Sequence, residues 1–469
     1  MGTILPAMLY LALLFLPGIA LARLLCRGEQ RLPAEWWLPL SFALGLGVHA
    51  VACSLCLLIL GAIPWIGIYL FHATVAVAGL WYSSARPGFP TLDGFTPLPA
   101  DANRNLLRLL ALVGIVFFAT LYHNAITFPF TGYDGQAIWS FKAAILAHEG
   151  TVYTPTFVDP ARVHYHRNYP ILVPMVLAGL YRAQGAVNEP GARVILTTFF
   201  PMLVVAFFAV ARRLGAAPLV AALAAVPLFS LPWRNDFGER DGGVLGSGSI
   251  DLQFGFFAFL SVACFMIYWR EGRRWQWWIG AICGGLCVMT KSEGLLVVAA
   301  TAFANFAQAI LAPGQYTRRA VLLRAVAAPV AAIAVALPWL LVQSRLPNFY
   351  DEDYGGQLNA ATIAAGIERL PVILQVTGAD AARVWKWNYI WVVFAALMPF
   401  AAAGWLRRKD FFLDACLLPW MAACIFVYTI SPLNLAFHLS TSSARLMSQM
   451  APLVVLRILA FFLERLTPR

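Results

Sequence analysis

Charge is scarce in this sequence. Asp, Glu, Lys and Arg make up 12% of its 469 residues, about half the share of a soluble globular domain, which excludes an ordinary soluble enzyme. Cysteine is scarce in polar surroundings. All eight (Cys26, Cys53, Cys56, Cys264, Cys283, Cys287, Cys416 and Cys424) lie in or at the edge of apolar runs. Cys283 and Cys287 share a helical face, but two thiols with no His or third Cys nearby make no metal site. All eight read as small buried apolar residues. The opening MGTILPAMLY has no basic n-region, so a retained span is expected there rather than a cleaved signal. No P-loop, GxGxxG, HExxH or GxSxG element stands in a fitting context. Internal repeats, low-complexity tracts and a soluble domain are also missing.

What the chain has is apolar sequence, 61% of it, in runs of about 15–25 residues. That length suits spanning helices, since barrel strands need only about 10 alternating residues. The expected class is an all-α polytopic membrane protein. Apolar windows fall near 4–22, 37–60, 64–82, 106–126, 194–211, 216–232, 252–269, 276–290, 293–312, 321–343, 388–406, 411–430 and 445–464, thirteen crossings in all. The short apolar piece 171–183 reads as a re-entrant or partly inserted helix.

The net charge of +11 could point to nucleic acid, but in a membrane protein it marks the cytoplasmic loops. If 83–105 is inside and 171–183 does not cross, the inner loops hold 19 basic against 8 acidic residues, and the outer segments 13 against 14. A crossing at 171–183 would move every basic cluster from Arg212 to Lys409 outside. The expected topology therefore puts the N-terminus outside and the C-terminus in the cytoplasm, in a multi-pass plasma (inner) membrane protein. Segments 127–193, 233–251, 290–294, 344–387 and 431–444 then share the outer face. Three parts are expected: spans and a Pro/Gly-rich linker at 1–105, a core at 106–312 with the outer loop 127–193, and C-terminal spans at 313–469 with the outer loop 344–387.

The richest polar stretch is 127–170. Asp134, in Gly-Tyr-Asp-Gly, sits just past a span. It is either an N-cap of a helix at 136–148 or a general base facing an apolar pocket. In that helix Trp139, Ala143 and Leu146 share one face while Lys142 and His148 lie towards another, the pattern of an interfacial amphipathic helix. His164, His166, Arg167 and Tyr169 precede Pro170, where a helix enters the bilayer. They could seat a phosphate or anchor the chain at headgroup depth; a metal there is the weaker option, with Asp159 the nearest acid. Asp251 stands at the mouth of the next span. Lys291 and Glu293 occupy a hairpin tip with Thr290, either as a functional pair or as a helix-capping one. Arg445 follows His438, Ser440, Thr441, Ser442 and Ser443, and a guanidinium beside hydroxyls suits a phosphate oxyanion, though an interfacial Arg is the plainer option. A site on the outer face has no access to cytosolic nucleotides, so an activated substrate would come from the membrane.

These pieces together resemble the GT-C superfamily of polytopic glycosyltransferases, which includes the protein O-mannosyltransferases and the lipid A aminoarabinose transferases. The matching residues are Tyr133-Asp134-Gly135, Trp139 with Lys142-Ala143, and His166-Arg167-Asn168-Tyr169-Pro170. Further on come Arg212-Arg213, Thr290-Lys291-Ser292-Glu293-Gly294, and His438-Leu439-Ser440-Thr441-Ser442 with Arg445. The likeness covers about 106–312 and the end of the chain. It implies a GT-C fold with amphipathic helices in the first large outer loop, a polyprenyl-phosphate-linked sugar as donor, and a lipid, glycan or protein acceptor. It also implies Asp134 as base, with Arg445, Lys291, His166 and Arg167 holding the donor phosphate. Trp139, Lys142, His164, Tyr169, Asp251, Glu293 and His438 are the expected substrate contacts. Asp134 stands alone rather than in an Asp-x-Asp pair, so no metal or other cofactor is assigned. Two other readings use the same layout: a polysaccharide polymerase or ligase acting on a diphosphate-linked lipid, and a transporter or lipid flippase, which would favour repeats and broken helices near the midplane.

Overall fold

The computed structural model describes residues 4–97, 103–159, 161, 166–231, 248–311, 318–347, 354–405 and 411–466. The described residues are mostly helical. In order the helices are α1 (Ile4–Leu25), α2 (Ala34–Leu60), α3 (Trp65–Ser84), α4 (Asn103–Thr127), a π-helical segment (Asp134–Ser140) running into α5 (Phe141–Glu149), α6 (Pro155–Val158), α7 (Leu172–Gln184) and α8 (Glu189–Arg213). Then follow α9 (Pro218–Ala225, extended by a 3₁₀ turn at Val226–Ser230), α10 (Asp251–Glu271), α11 (Arg274–Thr290), α12 (Gly294–Leu311) and α13 (Arg318–Gln343). The last are α14 (Ala360–Ile367), α15 (Leu370–Ala381), α16 (Val384–Trp387), α17 (Ile390–Trp405), α18 (Phe412–Thr429) and α19 (Leu435–Leu466). Two residue pairs, β1 (Arg31–Leu32) and β2 (Thr91–Leu92), form a parallel ribbon that ties the expected linker back to the start of α2.

Ten of these helices are long and apolar enough to cross a membrane, which makes the chain an all-α polytopic membrane protein. The other three expected spans form shorter helices. The 216–232 window is broken between α9 and its 3₁₀ turn at Val226-Pro227, where proline removes a backbone donor. The 388–406 window becomes the 16-residue α17. The 276–290 window becomes the 17-residue α11, which still connects the two polar ends of the bundle. At its start the Trp275 indole donates to Glu29 at 2.9 Å, and just past its other end Lys291 reaches Asp251. Helix α7, at 13 residues, is about 20 Å long, short of a 30 Å hydrocarbon core, and is buried against its neighbours along most of its length. The 344–387 segment is not a plain loop: it carries α14 and α15, bent by 57° where they meet.

The expected outer segments gather at one end of the bundle. Ile63 donates to the Gly150 carbonyl at 2.7 Å, the Gln343 side chain donates to the Asn168 carbonyl at 2.6 Å, and Arg369 to the Ser431 carbonyl at 3.2 Å. The opposite end holds its own polar knot: Arg213 grips Glu271 through two bonds, and Arg273 pairs with Glu29. Within the bundle, buried Arg457 in α19 meets Asp414 in α18 at 2.6 Å.

Candidate active site

The site is assembled where the first helical turn after Gly-Tyr-Asp-Gly meets the mouth of α10. Residues 134–140 wind as a π-helix, a rare geometry that tends to appear at functional positions. Asp134 falls inside its first turn, after Tyr133, and no side chain caps the segment. The carboxylate is thus not spent as a cap. Gly248 explains how α10 comes so close: it has φ +76°, and a Cβ there would lie 2.7 Å from the Gly135 Cα and 2.7 Å from the Phe130 ring. Only glycine takes that backbone shape without cost and leaves that room. The chain approaching Asp251 is thereby pressed onto the turn that holds Asp134.

Five charged side chains from four places in the sequence then form one ladder. Arg445 Nη2 lies 2.7 Å from Asp134 Oδ2, and Arg445 Nε donates to Asp251 Oδ2 at 2.8 Å. Lys291 Nζ donates to Asp251 Oδ1 at 2.9 Å and reaches Glu293 Oε1 at 3.0 Å. Asp251 is wholly buried and accepts two further bonds, from Gln449 Nε2 at 2.6 Å and from the Ser249 hydroxyl. A buried carboxylate is stable only when so paired. The hairpin that presents Lys291 is tight because Gly294 is packed against its own preceding turn: a Cβ there would lie 2.3 Å from backbone atoms of Cys287 and Val288. Burial opposes the charge on Lys291, but Asp251 and Glu293 outweigh it and hold the ammonium above its ordinary pKa.

The two ends of the ladder differ from its middle. Asp134 and Arg445 are about one-quarter exposed and Glu293 somewhat more, while Asp251 and Lys291 are shut in. An incoming group can therefore reach Asp134, one edge of Arg445, and Glu293. Two cations face three carboxylates, so the resting ladder carries one negative charge.

A second group sits behind α5. The sequence pattern places Lys142 on a polar face of an interfacial helix; the structure instead buries it completely, because the π-helical turns shift the register of α5. Its ammonium donates to the carbonyls of His166, Arg167 and Tyr169 and lies over the rings of Trp139 and Tyr169. The His166 ring stacks on Tyr169 with centroids 4.1 Å apart, and Arg167, also buried, donates to the Asp159 carbonyl at 2.8 Å. Lys142 thus holds the segment before Pro170. Lys142→Met should cost about 1.5–3 kcal/mol, the worth of charged hydrogen bonds lost to buried carbonyls, and thermal unfolding in detergent would show it.

His438 belongs to a third group. Its Nδ1 lies 2.7 Å from the Ser431 hydroxyl and its ring meets Tyr428 edge-on, whose hydroxyl lies 2.9 Å from that of Ser442. His164 lies outside the described residues. The sequence pattern does not single out Gln449 or Ser249. Gln449 stands one helical turn after Arg445 and Ser249 two residues before Asp251, so polar residues at contact spacing from a charge were the available signal. Among the described residues no group of three or more His, Cys, Asp or Glu could hold a metal ion.

No protein-family model matches the chain, and no curated protein matches its sequence. Among solved structures, it is similar to an Archaeoglobus fulgidus oligosaccharyltransferase crystallised with zinc and sulfate, at 14% identity and a TM-score of 0.46. The match takes in 76% of this chain and 48% of that one, so the chain spans about half that protein's length. A likeness of that size assigns no chemistry, and the functional reading rests on the ladder itself.

Proposed function

We propose that this chain is an inverting glycosyltransferase of the GT-C kind. It would move a sugar from a polyprenyl-phosphate donor to a hydroxyl of a lipid, glycan or protein acceptor, at the outer face of the plasma membrane. The observation that carries this reading is the Asp134–Arg445 contact at 2.7 Å, an accessible acid and an accessible guanidinium brought together from distant parts of the sequence. Charge supports the sidedness: Arg213, Arg273 and Glu271 knot together at the end opposite the ladder, and basic loops favour the cytoplasm.

The chemistry needs few groups. A sugar on lipid phosphate leaves with an already ionised phosphate, so no general acid is required. The acceptor oxygen bonds to C1 as its proton passes to Asp134. The C1–O bond to phosphate breaks, its electron pair stays on the phosphate, and Arg445 meets the charge that builds there. Attack from the face opposite the leaving group inverts C1, as in single-displacement sugar hydrolysis. In this scheme Arg445 keeps its Nε bond to Asp251 while Nη2 passes from Asp134 to the donor, and that exchange frees the base.

The test is purified protein in nanodiscs with a panel of labelled polyprenyl-monophosphate and diphosphate sugars. Monophosphate donors should yield polyprenyl phosphate and glycosylated acceptor, and Arg445→Ala should lose both products. Turnover of diphosphate carriers alone would overturn the proposal in favour of a polymerase or ligase, and uptake driven only by an ion gradient would favour a transporter.

A further inference from the structure

A second ligand site lies away from the ladder. Between α2, α3, α11 and α13 runs a groove of about 590 Å³, lined by apolar side chains that include Leu44, Val51, Leu55, Cys56, Gly67 and Leu286. That volume lies within the usual range for small-molecule sites. Along α2 the lining runs from Leu44 to Cys56, twelve residues or about 18 Å, slightly more than half of a 30 Å hydrocarbon core. Small residues make the space. A Cβ on Gly67 would meet only the Pro64 ring, at 3.6 Å, so this position opens into the groove rather than against a neighbouring helix.

The groove has a polar end. Arg345, exposed just beyond α13, donates through Nη1 to the Leu58 carbonyl at 3.3 Å, one helical turn past the lining residue Leu55. Arg345 lies at the same end of the bundle as the segment before Pro170, which Gln343 contacts two residues earlier. A slot one leaflet deep, apolar along its length and with a guanidinium one helical turn beyond its end, matches a chain with an anionic head. None of its lining residues comes from the π-helical segment, α10, α12 or α19, the elements that carry or adjoin Asp134, Asp251, Glu293 and Arg445. A lipid lying in the groove would rest on helices other than those that carry Asp134 and Arg445, which favours a resident of the bilayer over the reacting lipid.

We propose that this groove binds an anionic phospholipid of the surrounding membrane, with one acyl chain along α2 and its phosphate on Arg345. The lipid would fill the seam between the N-terminal helices and α11 and α13. This inference does not depend on the proposed transfer reaction, and its test reads lipid binding rather than activity.

The probe is phosphatidylglycerol carrying a diazirine in one acyl chain, applied to the full chain in nanodiscs, with peptide mapping of the crosslinks. Labelling should concentrate on the peptides containing Val51–Cys56 and Gly67–Phe71. Gly67→Leu should remove that label while leaving general labelling of lipid-facing helices intact, which separates a filled groove from a misfolded protein. Arg345→Gln should lower retention of phosphatidylglycerol relative to phosphatidylcholine by about fivefold in native mass spectrometry, the worth of one cation near an anionic lipid. Label spread evenly over the lipid-facing helices, or equal retention of the two lipids by the unmodified chain, would overturn the proposal. Displacement of the label by polyprenyl phosphate in preference to phosphatidylglycerol would overturn it too, assigning the groove to the carrier.

Discussion

Asp251→Asn should destabilise the protein by about 3–5 kcal/mol, the cost of removing one partner from a buried ion pair. The carboxylate is fully enclosed and accepts from Arg445, Lys291, Gln449 and Ser249. The amide keeps the shape but loses the charge, and it offers one acceptor oxygen where the carboxylate offered two. Among the described residues, Lys291, itself buried, then keeps Glu293 as its acid, and Arg445 keeps Asp134. Thermal unfolding in detergent measures the loss, and a midpoint close to that of the unmodified protein would show that Asp251 does not hold the site together. Partial recovery by Asp251→Glu is not expected, because the longer acid has no room within this shell of donors.

Asp134→Asn should behave in the opposite way. Its carboxylate pairs with Arg445 and is partly exposed, and pairs of that kind contribute about 1 kcal/mol or less. The fold should survive. Transfer to acceptor should fall by about 10²–10⁴-fold, the usual contribution of a positioned base. Retention of polyprenyl phosphate should be unchanged or stronger, since the substitution releases Arg445 from a competing carboxylate. Full activity in this variant would remove Asp134 from the mechanism. A variant that loses donor binding instead would show that the acid orders Arg445 rather than taking the proton. The two substitutions therefore separate stability from chemistry within a single ladder.

Much of this arrangement is visible in the sequence, and the reason for the remainder is physical. Hydropathy alone finds ten of the spanning helices, because membrane length imposes a run of apolar residues that nothing else in a chain requires. It overestimates 216–232, where apolar residues continue past a break in the backbone at Val226-Pro227, and 388–406, where the helix has only 16 residues. Asp134, Asp251, Lys291, Glu293 and Arg445 all stand out as ionisable groups at the ends of apolar runs. Their pairing does not, since Asp134 and Arg445 are brought together only by the packing of α19 on α10 and of the Gly248 turn on the loop that holds Asp134. Lys142 illustrates the converse. Helical periodicity turns its side chain outward, whereas the structure, with seven π-helical residues before α5, buries it beneath three carbonyls. His166 and Arg167 read from sequence as phosphate ligands; the structure adds that Arg167 donates to the Asp159 carbonyl and that the His166 ring stacks on Tyr169.

Helix α19 is held at two depths. Arg445 ties it to α10, and Arg457 ties it to α18 twelve residues further on, about 18 Å lower and roughly a third of a turn around the axis. Sliding this rod along its length, or twisting it, would rupture both fastenings at once and strand two guanidinium groups in apolar surroundings. Motion at the ladder end must therefore come from the side chains and from the segments that face this helix, while the helix itself serves as a fixed post.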